Sequence, residues 1–119
     1  MQTKTLLLFH GTSGNEPLEK MSVFENNIRN FSKEDNDLTI CYLKSQAPLL
    51  QTALERAAQK GISTIRVFPM FLLPGTHINS DIPAIIDNFN KNYTQVNVIL
   101  EKCLTQDLYF AKYVSDRVK

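Results

Sequence analysis

Short apolar runs alternate four times with apolar stripes of helical spacing along this 119-residue chain. Residues 3–9, "TKTLLLF", are nearly continuously apolar, the pattern of a strand covered on both faces. From about Pro17, the residues Leu18, Met21, Phe24, Ile28 and Phe31 recur at steps of three and four, one face of an amphipathic helix. Pro17 suits a first helical turn, where its missing N–H would have no partner. "LTICYL", residues 38–43, is a second strand of β-branched and aromatic residues. Pro48 opens a second helix with Leu50, Ala53, Leu54 and Ala57 inward and Gly61 as its stop. A third strand runs from about 63 to 69 and ends at Pro69, because a central strand cannot spare an amide. Ile82, Ile85, Ile86 and Phe89 form a third helical stripe, with Asn79 or Ser80 as its N-cap. "TQVNVIL" is a fourth strand, and Thr105 caps a last helix carrying Leu108, Ala111, Val114 and Val118.

The order βαβαβαβα predicts an α/β fold: a small doubly wound four-stranded parallel sheet with right-handed crossovers and helices on both faces. The expected strand order is 2-1-3-4, the flavodoxin-like arrangement cut short. Residues 1–119 read as a single domain, with no repeat, low-complexity segment or linker.

Composition narrows the functions open to such a sheet. The apolar share is 43% and the charged share 21%, and the formal net charge is +1. That balance argues against broad electrostatic capture of nucleic acid, which needs a clustered basic face. No apolar run approaches a membrane span, and "TLLLF" is far shorter than the apolar region of a signal peptide. Cys41 and Cys103 form no CxxC, are expected to fill apolar space, and fit a reducing cytoplasm. The expected protein is cytoplasmic, with neither nucleic acid nor membrane as partner.

The chain has two histidines, and both follow an apolar run. His10 stands in "LLLFHGTSGN" after strand 1, and His77 in "LLPGTHINSDIP" after strand 3. In the order 2-1-3-4 these strands are neighbours, and ligands of open α/β sheets bind at this switch point, outside the carboxyl ends. Strands pair at about 5 Å, so two imidazoles reaching over this edge can share one ion. Imidazole suits Co, Ni, Fe and Zn. Two histidines make an open, labile site, as a metal that must be handed on requires, whereas closed structural sites take four ligands. Either histidine taken alone fits a loop residue bonded to backbone. Gly11 and Gly14 let the first loop turn tightly, and Gly75 does the same before His77. "GTSGN" has neither the GxxxxGK[ST] nor the GxGxxG spacing and suits an ordinary βα turn, which leaves an FMN- or phosphate-binding module as a separate reading. Ser13 stands in no GxSxG elbow.

"LLLFHG", the run "FPMFLLPGTHINSDIP" and the βα order of the whole chain resemble the short CbiX-type sirohydrochlorin chelatases, of the class II tetrapyrrole chelatases. The resemblance implies a four-stranded half of the chelatase fold working as a homodimer, where longer relatives carry two halves in one chain. It implies ATP-independent insertion of a divalent metal, Co2+ or else Fe2+ or Ni2+, into sirohydrochlorin, in tetrapyrrole biosynthesis of the cobalamin or siroheme type. The metal is then a substrate, and no organic cofactor is implied. His10 and His77 match the metal-binding histidines and become the catalytic pair. Gly11, Thr12, Ser13, Lys44, Gly75 and Thr76 become the candidates for holding the carboxylate-rich macrocycle. Met70, Phe71, Leu72 and Leu73 form a wall for the ring, or else core or dimer contact.

One segment departs from the pattern. Relatives commonly carry an acidic residue at the end of strand 2, in an "FLE"-like segment, and here "YLK" puts Lys44 there. Ala47 also stands where a second acidic residue is common. A cation repels a metal ion and cannot accept a proton, so Lys44 points to solvent, or pairs with a substrate carboxylate, or marks a homologue that binds metal or tetrapyrrole without insertion.

Overall fold

The computed structural model describes residues 2–12, 16–32 and 37–118, and of residues 16–18, 77 and 78 the main chain alone. Four strands, β1 (Thr3–Phe9), β2 (Leu38–Tyr42), β3 (Thr64–Pro69) and β4 (Asn97–Leu100), form a parallel sheet in the order β2-β1-β3-β4. The helices are α1 (Glu16–Phe31), α2 (Leu50–Gln59), α3 (Ile82–Asn92) and α4 (Leu108–Arg117). The doubly wound sheet and its expected strand order are both present.

Alternation along each strand divides the core into two layers. Leu6 and Leu8 of β1, Cys41 of β2 and Ile65 and Val67 of β3 point to one face. There they meet Leu50, Ala53, Leu54 and Ala57 of α2, and Ile82 and Phe89 of α3. Leu7, Leu38, Ile40 and Tyr42 point to the other face, under Met21 and Ile28 of α1. The inner face of α2 is the expected one. Its stop is also as read: Gly61 takes φ +86°, Ile62 N–H donates to Ala57 O at 3.1 Å, and Gly61 N–H to Ala58 O at 3.0 Å.

The boundaries differ in four places. Pro48 does not start α2, which begins at Leu50; the Pro48 carbonyl instead accepts the Tyr42 amide at 2.9 Å. The fourth strand starts only at Asn97, because the chain before it turns: Asn90 Nδ2 donates to the carbonyls of Tyr93 and Val96. Neither Asn79 nor Ser80 caps α3. Both lie inside a π-helical turn, His77–Asp81, that runs directly into α3, and Asn79 N–H donates to Gly75 O at 2.9 Å. Thr105 does not cap α4 either. It sits in a 3-10 turn, Leu104–Gln106, while Asp107 caps α4 by accepting Tyr109 N–H at 2.7 Å.

The apolar stripe of α4 packs into no core. None of its residues is buried, and Leu108 is 83% exposed. The sheet face that a fourth helix would cover shows the complementary gap. Over β3 and β4 it carries Phe68, Ile99 (38% exposed) and the Arg66–Glu101 ion pair. Arg66 lies over the Phe68 ring, 4.8 Å from its centroid. Phe31, expected on the inner face of α1, is 88% exposed at the helix end, and Phe24 reaches only edge-on contact with Phe9.

Candidate functional site at the carboxyl edge

The carboxyl ends of β1, β2 and β3 converge on His10. Pairing continues beyond the strands: Leu43 N–H donates to Phe9 O at 3.0 Å, and Lys44 N–H to His10 O at 3.2 Å. From the other side Met70 N–H donates to Leu8 O at 2.8 Å. The main chain that carries His10 is thus held between its two neighbouring strands. Gly11 follows at φ +95° and passes against β2 so closely that a Cβ there would stand 1.9 Å from Lys44 O. That approach requires glycine, on steric and conformational grounds together.

His10 is half-buried in a cleft of about 260 Å³, lined also by Thr12, Met21, Tyr42, Gln46, Met70 and Phe71. Its Nδ1 lies 3.3 Å from Gly11 O, and its ring centroid 6.3 Å from that of Phe71. A carbonyl oxygen only accepts, so in this contact Nδ1 is the donor. No carboxylate is among the described residues lining the cleft. Burial raises the Tyr42 phenol, with Cys41 and Glu25 adding to the shift, so it stays protonated. Burial also pushes the Cys41 thiol up to about 12, which makes it packing rather than a ligand. Among the described residues no group of three His, Cys, Asp or Glu side chains could hold a metal ion.

The other expected site residues fall on the same edge with different environments. Thr12 is exposed, and its N–H donates to Gln46 Oε1 at 3.0 Å. Ser13 lies outside the described residues. Lys44 is exposed, and among the described residues its ammonium has no ion-pair partner. Thr76 is exposed directly before the π-helical turn, which the main chain of His77 begins; the His77 side chain lies outside what is described. Gly75 does not play the part assigned to it. Its φ is outside the left-handed region and a Cβ would meet no atom within 4 Å, so the bend does not need glycine there. The apolar wall divides: Met70 and Phe71 line the cleft, whereas Leu72 and Leu73 are 61% and 70% exposed.

Two features of the edge were not read from the sequence. The β3–α3 loop is braced from behind by the 3-10 turn: Leu104 N–H donates to Phe71 O at 2.9 Å, and both Thr105 N–H and the Thr105 hydroxyl donate to Leu72 O. The Cys103 thiol joins them, donating to Gln106 Oε1 at 3.2 Å. The second feature is Gln46. Its Oε1 is engaged by Thr12, and its Nε2 is buried with no hydrogen-bond partner among the described residues. The "SQAP" turn after strand 2 was the available signal, since that loop must leave the same edge as His10.

A larger cleft of about 440 Å³ opens at the opposite edge, before β3 and β4, beside Gly61, Ser63, Asn92 and Val96. Its described lining holds no His, Cys, Asp or Glu, so size does not make it the better metal site.

The CbiX family profile matches residues 4–119. The chain is 31% identical over 100 residues to the sirohydrochlorin cobaltochelatase of Priestia megaterium, covering 78% of this chain and 30% of that one. It is 31% identical over 80 residues to the sirohydrochlorin ferrochelatase of Bacillus subtilis strain 168, covering 67% and 31%. The matched region thus spans about a third of these curated relatives. The CbiX protein structure from Marinobacter aquaeolei VT8 superposes with a TM-score of 0.81 at 24% identity, over 99% of this chain and 93% of that one. The structure of SirB from Bacillus subtilis with Fe3+ superposes with a TM-score of 0.81 at 25% identity, over 100% of this chain but 47% of that one.

Proposed function

This chain belongs to the CbiX family, and from that premise we propose that it inserts a divalent metal into sirohydrochlorin without ATP, as one chelatase-like domain. The observation that carries the reading is the placement of His10. It stands at the topological switch point, in a cleft otherwise of mostly apolar lining. The names of relatives extend it to Co2+ and Fe2+ as the metal substrate; Ni2+ is offered by the same imidazole chemistry. No organic cofactor is required by the reaction.

Insertion has three parts: the ion is held weakly, the macrocycle lies beside it, and two pyrrole protons leave. In this reading His10 and His77 hold the ion, from adjacent strands β1 and β3, and neutral imidazole also accepts a proton near neutral pH. Phe71 and Met70 offer the ring an apolar face. Gly11, Thr12, Ser13, Gly75 and Thr76 border the macrocycle with main-chain groups and hydroxyls. Lys44, with an exposed ammonium, pairs with a peripheral carboxylate. The reaction is placed in the cytoplasm, in keeping with two buried free cysteines; no described helix is long and apolar enough to cross a membrane.

The working unit in this reading is a homodimer. It is supported by the superposition on about half of SirB and by the two surfaces left bare, the α4 stripe and the sheet face over β3 and β4. Sedimentation equilibrium is expected to give twice the monomer mass of 13.6 kDa; a monomer at assay concentration removes the dimer from the reading.

The test of the reaction is the absorbance change of sirohydrochlorin with Co2+, Fe2+ and Ni2+ in parallel, with and without protein. At least one metal is expected to go in faster with protein; rates equal to the protein-free mixture end the proposal. Lys44 favours a second reading, a homologue that binds without inserting. Lys44→Glu separates the two: activity appearing only in that variant identifies the natural chain as a binder.

A further inference from the structure

We propose that the His10 cleft is also a site for a soft monovalent cation, Cu+, held by the thioethers of Met21 and Met70 together with the imidazole of His10. The inference stands on the donors of the cleft and does not need the chelatase reading.

Three elements bring these donors to one place. His10 directly follows β1. Met70 directly follows β3, and its N–H donates to Leu8 O at 2.8 Å, which fixes it on the strand beside His10. Met21 comes from α1. Both methionines are half-buried, and both pack on the layer of Leu7, Leu38, Ile40 and Tyr42. All three residues line the same cleft. A sphere of its volume, about 260 Å³, is about 8 Å across, so side chains on its walls can meet at one ion. Methionine is unbranched and has three rotatable bonds, so each sulfur can adjust to that ion.

The donor set selects the class of cation. Thioether sulfur is soft and neutral and suits Cu+, whereas hard divalent ions take oxygen ligands, carboxylates above all. No carboxylate is among the described residues lining the cleft, and burial keeps the Tyr42 phenol protonated. Much of the remaining wall is aromatic, from Phe9 and Phe71. The cost of moving an ion from water to such a wall grows with the square of its charge. A monovalent ion therefore meets about a quarter of the penalty of a divalent one, and neutral ligands can offset it. The two thiols, the other soft donors of the chain, are fully buried elsewhere: neither Cys41 nor Cys103 lines the cleft.

The test is an anaerobic titration of the full chain with Cu+, in competition with the chromophoric Cu+ chelator bicinchoninate. One Cu+ per chain is expected to bind. Met21→Leu and Met70→Leu keep size and apolar character, so thermal unfolding should stay close to that of the wild type. Each is expected to raise the Cu+ dissociation constant by about tenfold or more, through loss of one soft ligand. Both variants retain Cys41 and Cys103. Wild-type Cu+ affinity in both variants would assign the ion to the thiols and overturn the proposal, and a loss in only one would overturn the shared site. Should a variant not fold, the wild type answers in its place, with Ag+ as a redox-inert substitute. One equivalent of Ag+ is expected to shift the methyl resonances of Met21 and Met70 in protein labelled at the methionine methyl carbons; unshifted resonances overturn the proposal. A wild-type chain that binds no Cu+ overturns it as well and leaves the chelatase reading intact, since sirohydrochlorin insertion is measured separately.

Discussion

If the chain is a chelatase as proposed, alanine at position 10 is expected to lower the rate of Co2+ insertion into sirohydrochlorin by at least about a hundredfold, the range expected when a ligand or proton acceptor leaves the reacting centre. The size follows from what surrounds His10. Its cleft neighbours Phe9, Met21, Met70 and Phe71 are apolar, and Thr12 and Gln46 are neutral. Tyr42 stays protonated by burial. With the imidazole gone, no described side chain of the cleft can hold a divalent ion at neutral pH. The fold is expected to survive, because the strand ends beside His10 are joined through its main-chain carbonyl and those of Leu8 and Phe9. Two readouts make the loss interpretable: the far-ultraviolet circular dichroism of His10→Ala should match the wild type, and its Co2+ titration should show weakened binding. A folded variant that inserts Co2+ at the wild-type rate would remove His10 from the reaction and return it to being a loop residue bonded to Gly11.

The sequence periodicities located the sheet and the inner face of α2 because burial there repeats with strand and helix period. Leu50, Ala53, Leu54 and Ala57 are all buried. The same logic located α4 but not what covers it. Leu108, Ala111, Val114 and Val118 keep helical spacing, but periodicity states only that a face is apolar, not what covers it. That face meets no core within the chain. Local chemistry failed for a different reason at the two caps. Asn79 and Thr105 are good N-cap residues, yet the chain reaches α3 through a π-helical turn, and the Thr105 hydroxyl is drawn to Leu72 O across the edge. Both outcomes depend on partners more than 30 residues away or on an unusual turn, neither visible in a short window. The candidate site was legible in part, because topology alone sends the β1 and β3 loops to one edge. Gln46 was not, since its importance lies in a bond across 34 positions to Thr12 and in a donor left over from it.

Glycine is the residue for which the sequence gives the same letter and the structure opposite expectations. Gly11→Ala is expected to destabilise the protein by about 3 kcal/mol or more, from strain in the left-handed region together with weakened pairing at the strand ends. At φ +95° a side chain is strained before any contact is made, and the new Cβ would stand 1.9 Å from Lys44 O and 3.0 Å from Lys44 C. Both atoms are main chain, so no rotamer change relieves the collision. Relief requires the ends of β1 and β2 to part, at the expense of the Lys44–His10 and Leu43–Phe9 bonds. That movement carries His10 with it, so Co2+ affinity should fall along with stability. Thermal unfolding is the measure, with a drop in Tm of about 10 °C expected for a chain of this size. Gly75→Ala is the control in the same experiment. Its φ is ordinary and the added methyl meets nothing within 4 Å, so its stability should stay within about 0.5 kcal/mol of the wild type. Equal stability of Gly11→Ala and Gly75→Ala would mean that the first loop does not press against β2, and the geometry holding His10 in place would then need another cause.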